Sequence, residues 1–88
     1  MQFDWSSSKD EKIRAQGEIG FLEIIFQIEG DGLLDVLEHP NKKKYPNQKV
    51  FVVKARDYVY LVPFVEEGDV LFLKTIIPSR KATKEYLK

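Results

Sequence analysis

Lys49–Ile77, KVFVVKARDYVYLVPFVEEGDVLFLKTII, is the stretch on which the fold turns. Three runs rich in Val, Leu, Phe and Tyr are separated by short polar breaks, which is the pattern of consecutive antiparallel strands. Lys49–Ala55 reads as one strand and Tyr58–Val65 as the next, joined at Arg56-Asp57. That two-residue break lacks the Asn-Gly signature of a tight hairpin, so the pattern alone leaves the register open. Pro63 lies inside the second run and predicts an edge position or a bulge there, since proline donates nothing to a ladder. Glu66-Glu67-Gly68-Asp69 is a turn with a glycine to take positive φ. Val70–Ile77 completes the meander and Pro78 ends it.

Working outward, Leu33–Glu38 makes a further strand on the N-terminal side, before the polar loop His39–Gln48. Upstream of it, Ile19–Ile28 is apolar on nearly every side, with only Glu23 and Gln27 forming a polar stripe four residues apart. This predicts a buried helix, ended by Gly30-Asp31-Gly32. Ser8-Lys9-Asp10-Glu11 has the form of a capping box and predicts a short helix to about Gln16, stopped by Gly17. Gln2–Trp5 supplies a short opening strand. At the other end, Ser79 is placed to cap a last helix running through Leu87. The expected fold is therefore α+β, in the order β-α-α-β-β-β-β-α, with the helices packed on one face of an antiparallel sheet.

The 88 residues are one domain, 1–88. With no cysteine, neither disulfides nor thiolate metal sites can staple the fold. With a single histidine, His39, the two-histidine metal centres are excluded as well. No apolar run approaches the ~20 residues needed to span a bilayer, and no basic-then-apolar leader opens the chain, so a cytoplasmic location without membrane contact is expected. Net charge is zero, from 14 basic and 14 acidic residues, which argues against strong nonspecific nucleic-acid binding. The charges are nevertheless segregated. Glu18, Glu23, Glu29, Asp31, Asp35 and Glu38 fall in a stretch with no basic residue. The cations gather at Lys42–Lys44, at Lys49–Arg56 and from Lys74 onward. A neutral protein can still present one cationic face.

Three groups of residues could carry chemistry. Arg80 and Lys81 stand at the start of the last helix, where cations oppose the helix dipole; such placement suits a phosphate site better than it suits stability. The His39–Gln48 loop combines Lys42, Lys43 and Lys44 with Tyr45, a pairing fit to follow a phosphate backbone and stack a base, and His39 could move protons. The strands bear Lys54, Arg56, Tyr58, Tyr60 and Lys74, of which Lys54, Tyr58 and Tyr60 fall at even spacings and could line a shallow basic face. Each group has an ordinary structural reading too, as solvated surface. There is no phosphate-cradling glycine loop, nucleophile elbow or metal-binding acidic cluster, and no metal or other cofactor is expected.

The two ends of the chain together resemble a family. Phe3-Asp4-Trp5, followed by a polar helix around Lys9, then Gly17 and an apolar helix, resembles the opening of BrnT toxins. Ile76-Ile77-Pro78-Ser79-Arg80-Lys81-Ala82-Thr83-Lys84 is similar to their Ile-Ile-Ser-Ala-Arg-Lys-Ala-Thr close, and the order of elements between also agrees. The resemblance implies a RelE-like fold and the toxin half of a type II toxin–antitoxin pair. It also implies metal-independent cleavage of RNA, and neutralisation by a cognate antitoxin of ribbon-helix-helix type. On this reading Arg80 binds the scissile phosphate, Lys54 and Lys81 assist, and His39, or a lysine with a lowered pKa, transfers protons. Lys81, Lys74, Arg56, Lys42–Lys44, Tyr45 and Tyr60 contact the RNA. The chain departs from the family at Thr75, where Arg is common, and in the His39–Gln48 loop. Those departures support an alternative, a catalytically inactive interaction protein that binds only an antitoxin-like partner. A homodimer is a further expectation, through an edge near Tyr58–Val65.

Overall fold

The hairpin that the sequence left open in register is tight. In the computed structural model, which describes residues 2–88, β3 (Gln48–Ala55) pairs antiparallel with β4 (Tyr58–Glu67), from Ala55 against Tyr58 to Gln48 against Val65. Arg56 (φ 52°) and Asp57 (φ 59°) form a two-residue loop with both residues left-handed. That backbone matches the right-handed twist of the strands it joins, and here it is adopted without glycine.

The other elements are β1 (Gln2–Asp4), α1 (Ser7–Ala15), α2 (Phe21–Glu29), β2 (Leu33–Glu38), β5 (Val70–Leu73), β6 (Ile77–Pro78) and α3 (Arg80–Tyr86). The class is α+β, as expected, with one strand more than the sequence suggested. Strand order in the sheet is β1-β5-β4-β3-β2, with β6 also beside β4. Every pairing is antiparallel except β1 with β5, which is parallel.

The meander differs from the expected one at two linked points. Val70–Ile77 is not one strand: β5 stops at Leu73, the chain swings through Lys74–Ile76, and β6 rejoins β4 at Tyr60 and Leu61. Pro63 accordingly lies neither at an edge nor in a bulge, but inside a central strand. Its C=O accepts from the Lys74 N–H at 2.8 Å, so the N–H it lacks would point to the same side of β4. On that side β5 has just ended, at Phe64, and β6 begins only at Leu61, so proline removes no ladder bond.

The helices lie on both faces of the sheet, not on one. α2 covers the face of Phe51, Val53, Ala55, Tyr60, Val62 and Phe64, and buries Phe21 and Ile24 there. α3 covers the opposite face, where Ala82 packs with Val52 and Val59 beside Leu34, Leu61 and Leu87. The reason is in the strands: β3 and β4 are apolar in both alternating phases, so each face needs cover. α2 is likewise less enclosed than its composition implied. Leu22 and Phe26, one turn apart, are 69% and 73% exposed, because a helix lying on a sheet buries one stripe only.

α1 is capped by Ser6, whose Oγ accepts from the Lys9 N–H, and not by Ser8. The third residue after that cap is Lys9, not Glu11, so no capping box forms. Gly32 lets α2 run closely into β2: a Cβ there would fall 2.7 Å from the Lys54 carbonyl. Among the described residues no helix is long and apolar enough to cross a membrane.

Candidate nucleic-acid interface

α3 is riveted to β4 by four polar groups. The Ser79 N–H donates to the Val59 C=O (2.9 Å), and the Val59 N–H donates to Thr83 Oγ1 (2.9 Å). Thr83 Oγ1 in turn donates to the Ser79 C=O (2.7 Å), and Ser79 Oγ caps the helix by accepting from the Ala82 N–H (3.0 Å). With Ala82 held against the sheet, Arg80, Lys81 and Lys84 stay exposed on the outer side. Lys54 is paired in register with Val59, the residue that anchors α3, and alternation puts its side chain on α3's face. None of Arg80, Lys81, Lys84 and Lys54 lies in an ion pair with a carboxylate among the described residues. The expected cationic group at the start of α3 is therefore present and unneutralised. α3 has only seven residues, and Ser79 already occupies one first-turn amide, so the attraction for an anion resides in the side chains.

Several expected members lie elsewhere. Arg56 is clasped by Glu23, with Nε to Oε2 at 2.9 Å and Nη2 to Oε1 at 2.7 Å, so its fork is already filled by a carboxylate. Tyr60 is buried on the α2 face, edge-on to Tyr58 at 5.8 Å, and burial pushes its hydroxyl pKa up. It cannot stack a base from there. The expected shared face of Lys54, Tyr58 and Tyr60 is thus split, because Tyr60 pairs with Val53 and Tyr58 with Ala55, one residue either side of Lys54. Lys74 is exposed in the crossover between β5 and β6.

The His39 loop stands at the far end of the sheet. The His39 N–H donates to the Gln48 C=O, whereas Lys54 is six residues further along β3, roughly 20 Å at about 3.4 Å per residue. His39, Lys54 and Arg80 are therefore not one constellation. The loop is internally organised: His39 Nδ1 accepts from the Asn41 N–H (3.0 Å), and Asn41 Oδ1 accepts from the Lys44 N–H (3.2 Å). The Tyr45 ring lies 4.5 Å from the His39 ring, with the Lys44 ammonium 5.4 Å from its centre. Lys42 is paired with Glu38 at 2.6 Å, while Lys43 and Lys44 have no acidic partner among the described residues.

A groove on the α2 face, which no sequence motif marks, has a volume of about 580 Å³. Its floor is Phe51 stacked on Phe64 at 3.9 Å, and its rim carries the Lys49–Glu66 ion pair (2.7 Å). The period-2 pattern puts Lys49 and Phe51 on one face of β3, and Phe64 and Glu66 on one face of β4; only the register of the two strands brings the pairs together. Among the described residues no cluster of three His, Cys, Asp or Glu is arranged to hold a metal ion. Compared with known proteins, the chain matches no family model, no curated protein and no solved structure.

Proposed function

We propose that the protein is an RNA-cleaving toxin of the BrnT type, RelE-like in fold, that acts on messenger RNA in the cytoplasm and is neutralised by a cognate antitoxin. The observation that carries this reading is the unpaired cationic group of Arg80, Lys81, Lys84 and Lys54 about α3. Cleavage without a metal uses the ribose 2′-hydroxyl as nucleophile: its oxygen bonds to phosphorus, its proton departs to a base, and the 5′-oxygen leaves with a proton. The protein's main task is then to grip the phosphodiester and stabilise the charge that builds on its oxygens. A guanidinium offers a planar, always-charged fork for that purpose, which assigns the scissile phosphate to Arg80. Lys54 and Lys81 share the developing charge. His39 has no part in this step, being at the other end of the sheet.

A second reading is favoured by Arg56 and Lys42, two expected RNA contacts whose charge is taken up by glutamates. It is a non-catalytic chain that keeps only the surface for an antitoxin. Expression of the chain alone separates the two. Growth arrest with RNA decay, lost in Arg80→Ala, supports the nuclease. Absence of arrest, with tight binding to the product of the neighbouring gene, supports the second reading.

A further inference from the structure

β2 is the last strand of the sheet, and its outer side is unpaired among the described residues. The His39 N–H bonds across to β3, so by alternation residues 37 and 35 also face β3, and the backbones of Val36 and Glu38 face outward. Natural edges are usually blunted by lysine, proline or a bulge. Here the register shift between Leu33 and Asp35 and the proline at position 40 bracket a short open run, Asp35–His39. Within that run Val36 and Leu37 are 44% and 42% exposed, on opposite faces. Among the described residues a side chain covers this run: Asp35 Oδ1 accepts from the Val36 N–H (2.8 Å), and Oδ2 accepts from the Tyr86 hydroxyl (2.9 Å).

We propose that two copies of the chain pair antiparallel through β2, about a two-fold axis at Leu37, and join their sheets into one. Only outward-facing residues can exchange backbone bonds, so a symmetric pairing within this run sets Val36 against Val36, Val36 against Glu38, or Glu38 against Glu38. The last places two carboxylates directly opposite, which is unfavourable. The first leaves Asp35 and Glu38 opposite leucines. The middle register sets Leu37 against its own copy and Asp35 against His39 of the second copy. His39 Nδ1 already accepts from the Asn41 N–H, which leaves Nε2 to donate to Asp35 Oδ1, freed as the Val36 N–H turns to the Glu38 carbonyl of the second copy. Antiparallel pairing also sets the start of β2, which Glu29 and Asp31 precede, beside the end of β2 in the second copy, where Lys43 and Lys44 follow with no acidic partner among the described residues. The acidic stretch and the lysine run, segregated in the sequence, thus become complementary across the axis. The interface is small, so association is weak. It does not depend on any RNA-directed activity.

The test uses the whole chain, which has no cysteine of its own. The proposed axis brings the two Leu37 positions together as a closely spaced pair, with Cα atoms about 4.5 Å apart, within disulfide range. Leu37→Cys should give a covalent dimer under mild oxidation, and Glu38→Cys and Leu33→Cys should give little. Sedimentation of the unmodified chain should show a monomer–dimer equilibrium that weakens with salt and that Leu37→Lys abolishes, with an unchanged circular dichroism spectrum. Equal cross-linking at all three positions overturns the register. A chain that stays monomeric at every concentration and does not cross-link through Leu37→Cys overturns the dimer and leaves the edge to a different partner.

Discussion

The backbone N–H of Phe21 donates to the carboxylate of Asp10, 2.9 Å away, so a side chain of α1 caps the first turn of α2. Gly20, at the cap position itself, has no side chain to do so. A Cβ there would lie 2.7 Å from Arg14 Cδ and 2.9 Å from Asp10 Oδ1. The Phe21 amide, with Arg14 adding to it, holds the Asp10 carboxyl below its ordinary value of 3.8. Asp10→Ala should cost about 0.5–2 kcal/mol in a denaturant titration near neutral pH, the usual range for a lost cap. Because the folded value is depressed, this stabilisation is complete above the unfolded value and disappears as pH falls through the folded one. The difference between wild type and Asp10→Ala should therefore be constant above about pH 5 and shrink below about pH 4.

Asp57 holds φ at 59° in the β3–β4 hairpin, a conformation in which a Cβ is crowded. Asp57→Gly should remove that strain and raise the midpoint of thermal unfolding, with a gain of up to about 1 kcal/mol. Arg56→Gly relieves a similar angle but forfeits both bonds to Glu23, and so should gain less. If Asp57→Gly loosens the hairpin, seen as faster amide exchange at Val59, the turn owes its register to something other than its backbone angles.

The strands from β2 to β5 were legible because apolar runs are set off by polar breaks, whereas β6 lay hidden in the run Val70–Ile77; Ser79 was recognisable as a cap from its place after Ile77-Pro78. The second helix-covered face was also written there, in Val52, Val59 and Leu61, which are as apolar as the phase opposite them. What local pattern cannot supply is pairing across the chain. Nothing near Arg56 announces that Glu23, thirty-three residues earlier, fills its fork. Nothing near His39 shows that six steps of β3 part it from Lys54. The cationic group at α3 was legible because Arg80, Lys81 and Lys84 are neighbours in sequence. Lys54 joins them only through the register of β3 with β4.

Tyr86 and Asp35 tie the end of α3 to the edge of the sheet, and the Asp35 carboxylate raises the Tyr86 hydroxyl pKa above its ordinary value of 10.0. A raised folded value contributes stability below the unfolded pKa, and that contribution is lost as pH rises through the folded one. Tyr86→Phe should therefore be less stable than wild type at neutral pH and approach it in strongly alkaline solution. Deuterium exchange should also quicken along α3 near Thr83 and Leu87 in Tyr86→Phe. Unchanged exchange there would mean that the Ser79, Val59 and Thr83 bonds hold α3 by themselves.

The separation of His39 from Arg80 makes the proposed site testable by comparison rather than by loss alone. Arg80→Ala should reduce RNA cleavage by about a hundredfold or more, the scale for removing one charge-stabilising donor, while leaving the fold intact because the side chain is exposed and unpaired. Lys54→Ala should act in the same direction and less severely, since a neighbouring lysine remains. Arg56→Ala should leave cleavage close to wild type, as its guanidinium is committed to Glu23. His39→Ala should do the same, as its ring belongs to a loop at the far end of the sheet. Growth inhibition by each variant in cells should follow the same order as cleavage of a model RNA. If instead His39→Ala silences the protein and Arg80→Ala does not, the phosphodiester binds at the loop end of the sheet, and α3 serves the fold alone.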